Sequence, residues 1–119
     1  MMNNEKFDVI VVGAGMAGVC ASLEAAEQGQ TVLLIDVAYG GGTSGISGGV
    51  VYAGGGTSTQ LEAGVEDSID NMYNYLIQET AGVVKDETVR RFCEDSPASI
   101  EWLKAKGVKF QGTVCPYKT

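Results

Sequence analysis

Gly13, Gly15 and Gly18 stand in the spacing G-x-G-x-x-G, directly after the apolar run at 7–12 and at the start of a stretch rich in Ala, Leu and Glu. Each position has a distinct use. The first glycine permits a tight turn, the second lets backbone approach a pyrophosphate, and the third lets a helix pack closely on a strand. Met16 and Ala17, between the second and third, stand at the helix N-terminus. Unpaired N–H groups and the helix dipole favour an anion there. Asp36 follows Gly18 by 18 positions, near the ~20 expected of an acid that accepts hydrogen bonds from ribose hydroxyls. These residues together suit an ADP moiety. A carboxylate at 36 repels a 2′-phosphate, which disfavours NADP. FAD and NAD each present an ADP half, and both stay open on these residues.

The elements that must position this turn are legible around it. Residues 7–12 (FDVIVV) form a continuous β-branched run, the pattern of a strand buried on both faces. Residues 19–28 read as a helix with Gly29 at its C′ position. Residues 31–35 (TVLLI) read as a second buried strand, ended by Asp36. Strand, glycine turn, helix and strand make a βαβ unit over 6–36, so the expected fold class is α/β and Rossmann-like.

A second glycine-rich stretch covers 39–59, with Gly40, Gly41, Gly42, Gly45, Gly48, Gly49, Gly54, Gly55 and Gly56. A flexible linker is one reading of such composition. Ile46, Val50, Val51 and Tyr52 interrupt it with apolar anchors, which favours a loop whose backbone approaches a ligand. It begins just past Asp36, where a chain leaving the ribose runs along a pyrophosphate toward a flavin. That placement favours FAD over NAD. The rest is a helical segment over 66–107. Ile69, Met72, Tyr73, Leu76 and Ile77 share one face of a helix within 67–80. Asp86 is expected to cap a short helix over 87–94. Ser96-Pro97 is expected to start a separate helix, as N-cap and N1, that stops at Gly107. Residues 108–110 are expected to begin another strand.

Composition narrows the function classes. The 119 residues carry a formal net charge of -7 without a basic run, which disfavours nucleic acid and anionic lipid as partners. There is no histidine, and Cys20, Cys93 and Cys115 lie far apart, so no zinc site of the usual spacing exists and no metal is expected. No run of 18 apolar residues is present to span a membrane. An odd cysteine count after a polar opening (MMNNEKFD) suggests a reduced, cytoplasmic protein.

The run Gly41-Gly42-Thr43-Ser44 followed by Ser47-Gly48-Gly49 resembles the flavoprotein superfamily of succinate dehydrogenase and fumarate reductase. Within it, "GGTSGISGGVVYAGGGT" looks closest to the 3-ketosteroid dehydrogenase branch, and "NMYNYL" and "SPASIEWLKAKGVKF" suit it too. The resemblance implies that Gly42, Thr43 and Ser44 contact FAD at its phosphates or ribityl region. It implies that Ser47, Gly48 and Gly49 lie against the isoalloxazine ring. Local turns made by the same hydroxyls are the alternative use of Ser and Thr. Some members attach FAD through a histidine in this loop; this chain has none, so the FAD is expected to be non-covalent. The superfamily's proton-transfer groups lie later in the chain, so no residue here is assigned a catalytic role. Tyr52, Tyr73, Tyr75 and Tyr117 read as packing residues, Arg90 and Arg91 as solvated or ion-paired surface, and Cys20 as a small core residue. Residues 1–119 are then expected to be the incomplete amino-terminal part of a larger FAD-dependent oxidoreductase, acting on a small-molecule CH–CH substrate such as a 3-ketosteroid or fumarate. They would need the remainder of the polypeptide for turnover. A catalytically silent truncated fragment and an NAD-dependent dehydrogenase segment are the alternatives.

Overall fold

The computed structural model describes residues 5–112; Cys115 and Tyr117 lie outside the described residues. The chain divides into two compact units, one up to Val50 and one from Val51 onward.

In the first unit, β1 (Val9–Val12) and β2 (Val32–Ile35) pair in parallel, with Val9 opposite Val32 and Val12 opposite Ile35. Parallel neighbours require a crossover rather than a hairpin, and α1 (Met16–Glu27) supplies it, packing on both strands. Below the sheet, Asp8 and Thr31 lock the strand starts together. Asp8 Oδ2 accepts from the Thr31 N–H at 2.8 Å and its hydroxyl at 2.6 Å. Gly29 takes φ +82° just past the helix, as its C′ position requires.

Within this chain β1 is covered on one face. Val9 and Val11 are half-buried, whereas Ile10 is 61% and Val12 79% exposed. Side chains alternate across a strand, and within this unit a single helix covers a single face. A continuous apolar run reports what a strand tolerates and says nothing about which elements cover it.

The β1–α1 turn is the tightest point of this unit. Gly13 takes φ +102°. A Cβ on Gly18 would lie 1.8 Å from the Gly13 carbonyl oxygen and 3.4 Å from Val11 Cγ1. Helix and strand therefore meet through bare backbone.

The second unit holds α2 (Ser58–Glu62), α3 (Ile69–Thr80) and α4 (Asp86–Ala105). The apolar face expected of α3 forms. Met72 is buried against Val89 and Cys93 of α4, with Ile69, Tyr73, Leu76 and Ile77 packed around them. The Ser68 hydroxyl caps α3 by accepting from the Asn71 N–H at 3.1 Å.

Two expectations fail in this unit. Residues 86–105 form one helix rather than two, with Lys85 at its N-cap and Pro97 in its interior. Pro97 has no N–H for the Cys93 carbonyl. Cys93, Ser96 and Ile100 are nevertheless buried along one face, and that packing carries the helix through. Ser96 is thus not an N-cap: its hydroxyl accepts from the Gly54 N–H at 3.0 Å. Residues 108–112 form no strand; among the described residues the sheet is two-stranded and no third strand pairs with it.

Gly18→Ala is expected to destabilise the chain by about 3 kcal/mol, because the obstructing atom is backbone and cannot rotate away. Gly45→Ala, where a Cβ meets nothing within 4 Å, is expected to be near neutral. Urea unfolding followed by helical circular dichroism measures both.

Candidate functional site

The turn is continuous with the end of the sheet, because the Gly13 N–H donates to the Ile35 carbonyl at 2.7 Å. That bond brings residue 36 beside the turn. Asp36 Oδ2 accepts from the Ala14 N–H at 2.6 Å, and Oδ1 accepts from the Ala38 N–H at 2.8 Å. These two donors, Ala14 first, hold the Asp36 carboxyl below its ordinary value. Each carboxylate oxygen keeps a further lone pair for a hydroxyl donor. Asp36 is exposed, so a ligand can reach it.

The start of the second glycine stretch folds back onto the same turn. The Gly41 N–H donates to the Ala14 carbonyl at 2.8 Å, and the Ser44 Oγ accepts from the Met16 N–H at 3.1 Å. Gly40 and Gly41 both take φ +84°, which bends the chain into a short 3-10 turn, Gly42–Ile46. A Cβ on Gly42 would lie 3.5 Å from the Gly15 α-carbon. Gly13, Gly15, Met16, Asp36, Gly42 and Ser44 are therefore assembled in one place. Ala17 is exposed in the first turn of α1, and Thr43 is exposed in the 3-10 turn.

Ser47, Gly48 and Gly49 follow as exposed backbone. The Ser47 hydroxyl accepts from the Gly49 N–H at 3.1 Å, a local turn. A Cβ on Gly48 or Gly49 would meet nothing within 4 Å.

The three motif glycines separate cleanly. Gly13 is required by its positive φ, and Gly18 by the clash described above. Gly15 has φ -75°, and a Cβ there would approach nothing closer than Ser44 Oγ at 3.8 Å. A Cβ at 15 would make only ordinary contacts, so the fold itself does not demand a glycine there.

Sequence reasoning missed a second polar assembly, in the unit from Val51 onward. Thr57 and Gln60 form a capping box at α2. The spacing T-x-x-Q was the available signal. Asp67 gathers four donors, described below, and holds Gly55 against α2 and α3. Gly54, Gly55 and Gly56 belong to this assembly rather than to open loop. A Cβ on Gly54 would lie 3.1 Å from Asp67 Oδ2, and one on Gly56 3.3 Å from the Asp67 carbonyl.

The aromatic and basic residues have structural partners. Tyr52 stacks on Phe92 with centroids 6.4 Å apart. Arg90 pairs with Asp70 at 2.6 Å and lies 3.9 Å over the Tyr73 ring, and Arg91 pairs with Asp95 at 2.7 Å. Cys20 is half-buried on α1. Among the described residues, no helix is long and apolar enough to cross a membrane.

A family model described as FAD binding domain matches residues 8–117. Over 112 residues the chain is 46% identical to the 3-oxo-5-alpha-steroid 4-dehydrogenase of Comamonas testosteroni, covering 94% of this chain and 21% of that protein. It is 33% identical over 106 residues to the NADH:fumarate oxidoreductase of Klebsiella pneumoniae, covering 87% of this chain and 11% of the relative. The crystal structure of 3-ketosteroid-delta4-(5alpha)-dehydrogenase from Rhodococcus jostii RHA1, in complex with 4-androstene-3,17-dione, matches with a TM-score of 0.85. Identity there is 38%, over 91% of this chain and 23% of that one. The chain thus spans about a fifth of the length of the steroid relatives it matches.

The lowered Asp36 carboxyl carries a sign. Its hold on Ala14 is complete above the ordinary carboxyl value of 3.8 and is lost as pH falls through the lower folded value. Asp8, lowered by the Thr31 hydroxyl and N–H, contributes an acid limb of the same sign. Site-resolved NMR separates the two. The Ala14 amide proton is expected to titrate with a midpoint below 3.8, and that step is expected to vanish in Asp36→Asn.

Proposed function

Because this chain belongs to the family of FAD binding domains, we propose that residues 6–36 form a Rossmann-like unit that holds the ADP half of FAD non-covalently. Gly15 carries this reading. It is the one motif glycine for which the fold has no use, and close approach of a pyrophosphate gives it one. Met16 and Ala17 present the N-terminal backbone of α1 to the phosphates. Asp36 accepts from ribose hydroxyls with the lone pairs that Ala14 and Ala38 leave free. Gly42, Thr43 and Ser44 line the path from pyrophosphate to flavin. Ser47, Gly48 and Gly49 offer open backbone to the isoalloxazine ring. With residues 39–59 as the flavin loop and 66–107 as the helical segment that follows it in sequence, the chain acts as the amino-terminal part of the cofactor domain.

The intact protein is proposed to be an FAD-dependent oxidoreductase acting on a CH–CH bond. Bound FAD supplies hydride acceptance or donation. This chain's residues bind the cofactor and orient it; the proton-transfer groups belong to the remainder of the polypeptide. The 46% identity to a steroid 4-dehydrogenase favours a 3-ketosteroid over a dicarboxylate such as fumarate. Cys20 and Cys93 are free thiols, in keeping with a reducing, cytoplasmic setting.

The chain is expected to quench FAD fluorescence saturably and to release all of its flavin on acid or heat treatment. Gly15→Val is expected to abolish that binding with little loss of helical content, because a Cβ at 15 makes only ordinary contacts with Ser44 and Gly41 while its branches enter the space proposed for the pyrophosphate. Normal FAD binding by this variant refutes the assignment of the turn. Flavin that stays on the denatured chain refutes the non-covalent attachment.

A further inference from the structure

The glycine-rich stretch 39–59 is hydrogen-bonded near each end, each end within its own unit. Its near end is held by Gly41 on Ala14 and Ser44 on Met16. Its far end is held in the unit from Val51 onward, where Asp67 Oδ2 accepts from the Gly55 N–H and from Gln60 Nε2, both at 2.8 Å. Asp67 Oδ1 accepts from the Ser68 N–H at 2.8 Å and from Asn71 Nδ2 at 2.9 Å. Between these ties lie Gly48 and Gly49, where a Cβ would meet nothing.

All four partners of Asp67 are donors, and three of them cannot change. Gly55 and Ser68 donate through backbone. Gln60 is fixed as a donor because its Oε1 already accepts from the Gly56 N–H at 3.1 Å and the Thr57 N–H at 2.9 Å. Only a group that accepts on both oxygens satisfies this node. An amide at 67 turns its NH2 toward a backbone N–H in either orientation, Gly55 in one and Ser68 in the other. The resolved shift of the Asp67 carboxyl agrees with this: burial raises it, and the four hydrogen bonds together bring it below the ordinary value.

We propose that Asp67 is the positioning residue of the flavin loop, acting through Gly55 to order the loop's far end, residues 54–56, within the unit from Val51 onward before FAD arrives. The inference rests on the reading of 39–59 as the flavin loop. Its physical basis is entropic: backbone already ordered within its own unit has less freedom left to lose on binding. Asp67 touches no reacting atom in this account.

The test compares parent, Asp67→Asn and the double variant Asp67→Asn/Asn71→Asp, which offers the new amide an acceptor on the Oδ1 side. In Asp67→Asn, amide exchange at Gly55 and Gly56 is expected to accelerate about tenfold while the Met72 and Val89 amides stay protected. FAD affinity is expected to fall about tenfold, the equivalent of one hydrogen bond to a charged group. The double variant is expected to recover part of both, which general destabilisation does not do. If Asp67→Asn fails to fold, Gln60→Glu faces Asp67 Oδ2 with an oxygen and is expected to give the same pair of effects. Unchanged Gly55 exchange overturns the node. Faster exchange with unchanged FAD affinity overturns the positioning role. A parent chain that binds no FAD overturns instead the reading on which the inference rests.

Discussion

The unit up to Val50 depends on one contact between two backbones. The α-carbon of Gly18 stands where any Cβ would strike the Gly13 carbonyl, and this closeness sets how α1 leaves β1. The rest follows in sequence. Because α1 starts so near the strand end, its first N–H groups open beside the end of β2, where the Gly13 N–H meets the Ile35 carbonyl. Asp36 then reaches Ala14 without any long excursion of the chain. The 3-10 turn in turn packs against Gly15, where a Cβ on Gly42 would lie 3.5 Å from the Gly15 α-carbon. A single atom added at 18 therefore disturbs the strand, the helix and the acid together.

Within that arrangement the protein has already used part of its own donor set. Ser44 takes the Met16 N–H and Asp36 takes the Ala14 N–H, so the turn is shaped by internal hydrogen bonds before any ligand is considered. Preorganisation of this kind lowers the ordering entropy of binding. A net charge of -7 does not oppose the proposed pyrophosphate site, since the attraction there would come from local backbone dipoles and not from overall charge.

The sequence made the β1–α1–β2 unit readable because three signals agree there: an apolar run, a glycine spacing and an acid at the next strand end. It did not reveal strand burial, because FDVIVV is compatible with one covered face or two. Ser96-Pro97 misled for a related reason. The pair is a good helix start in isolation, and the burial of Cys93, Ser96 and Ile100 on one face overrides that local preference. The Asp67 node was hidden because its partners come from the glycine loop, α2 and α3, and no periodic pattern links them. Only its T-x-x-Q component had a readable spacing. In 39–59 the composition suggested one loop, whereas its glycines serve two ends: 40–42 pack on the turn, and 54–56 pack around Asp67.

The central claim is that the turn at 13–18 with Asp36 is built for the ADP half of the cofactor. Titration of the isotopically labelled chain with ADP alone, followed by amide NMR, tests it most directly. The account predicts saturable shifts centred on Gly15, Met16, Ala17 and residues 36–38 just past β2, and the same residues shifting again with FAD. ADP shifts that centre elsewhere, or FAD binding that leaves these amides unmoved, would contradict it.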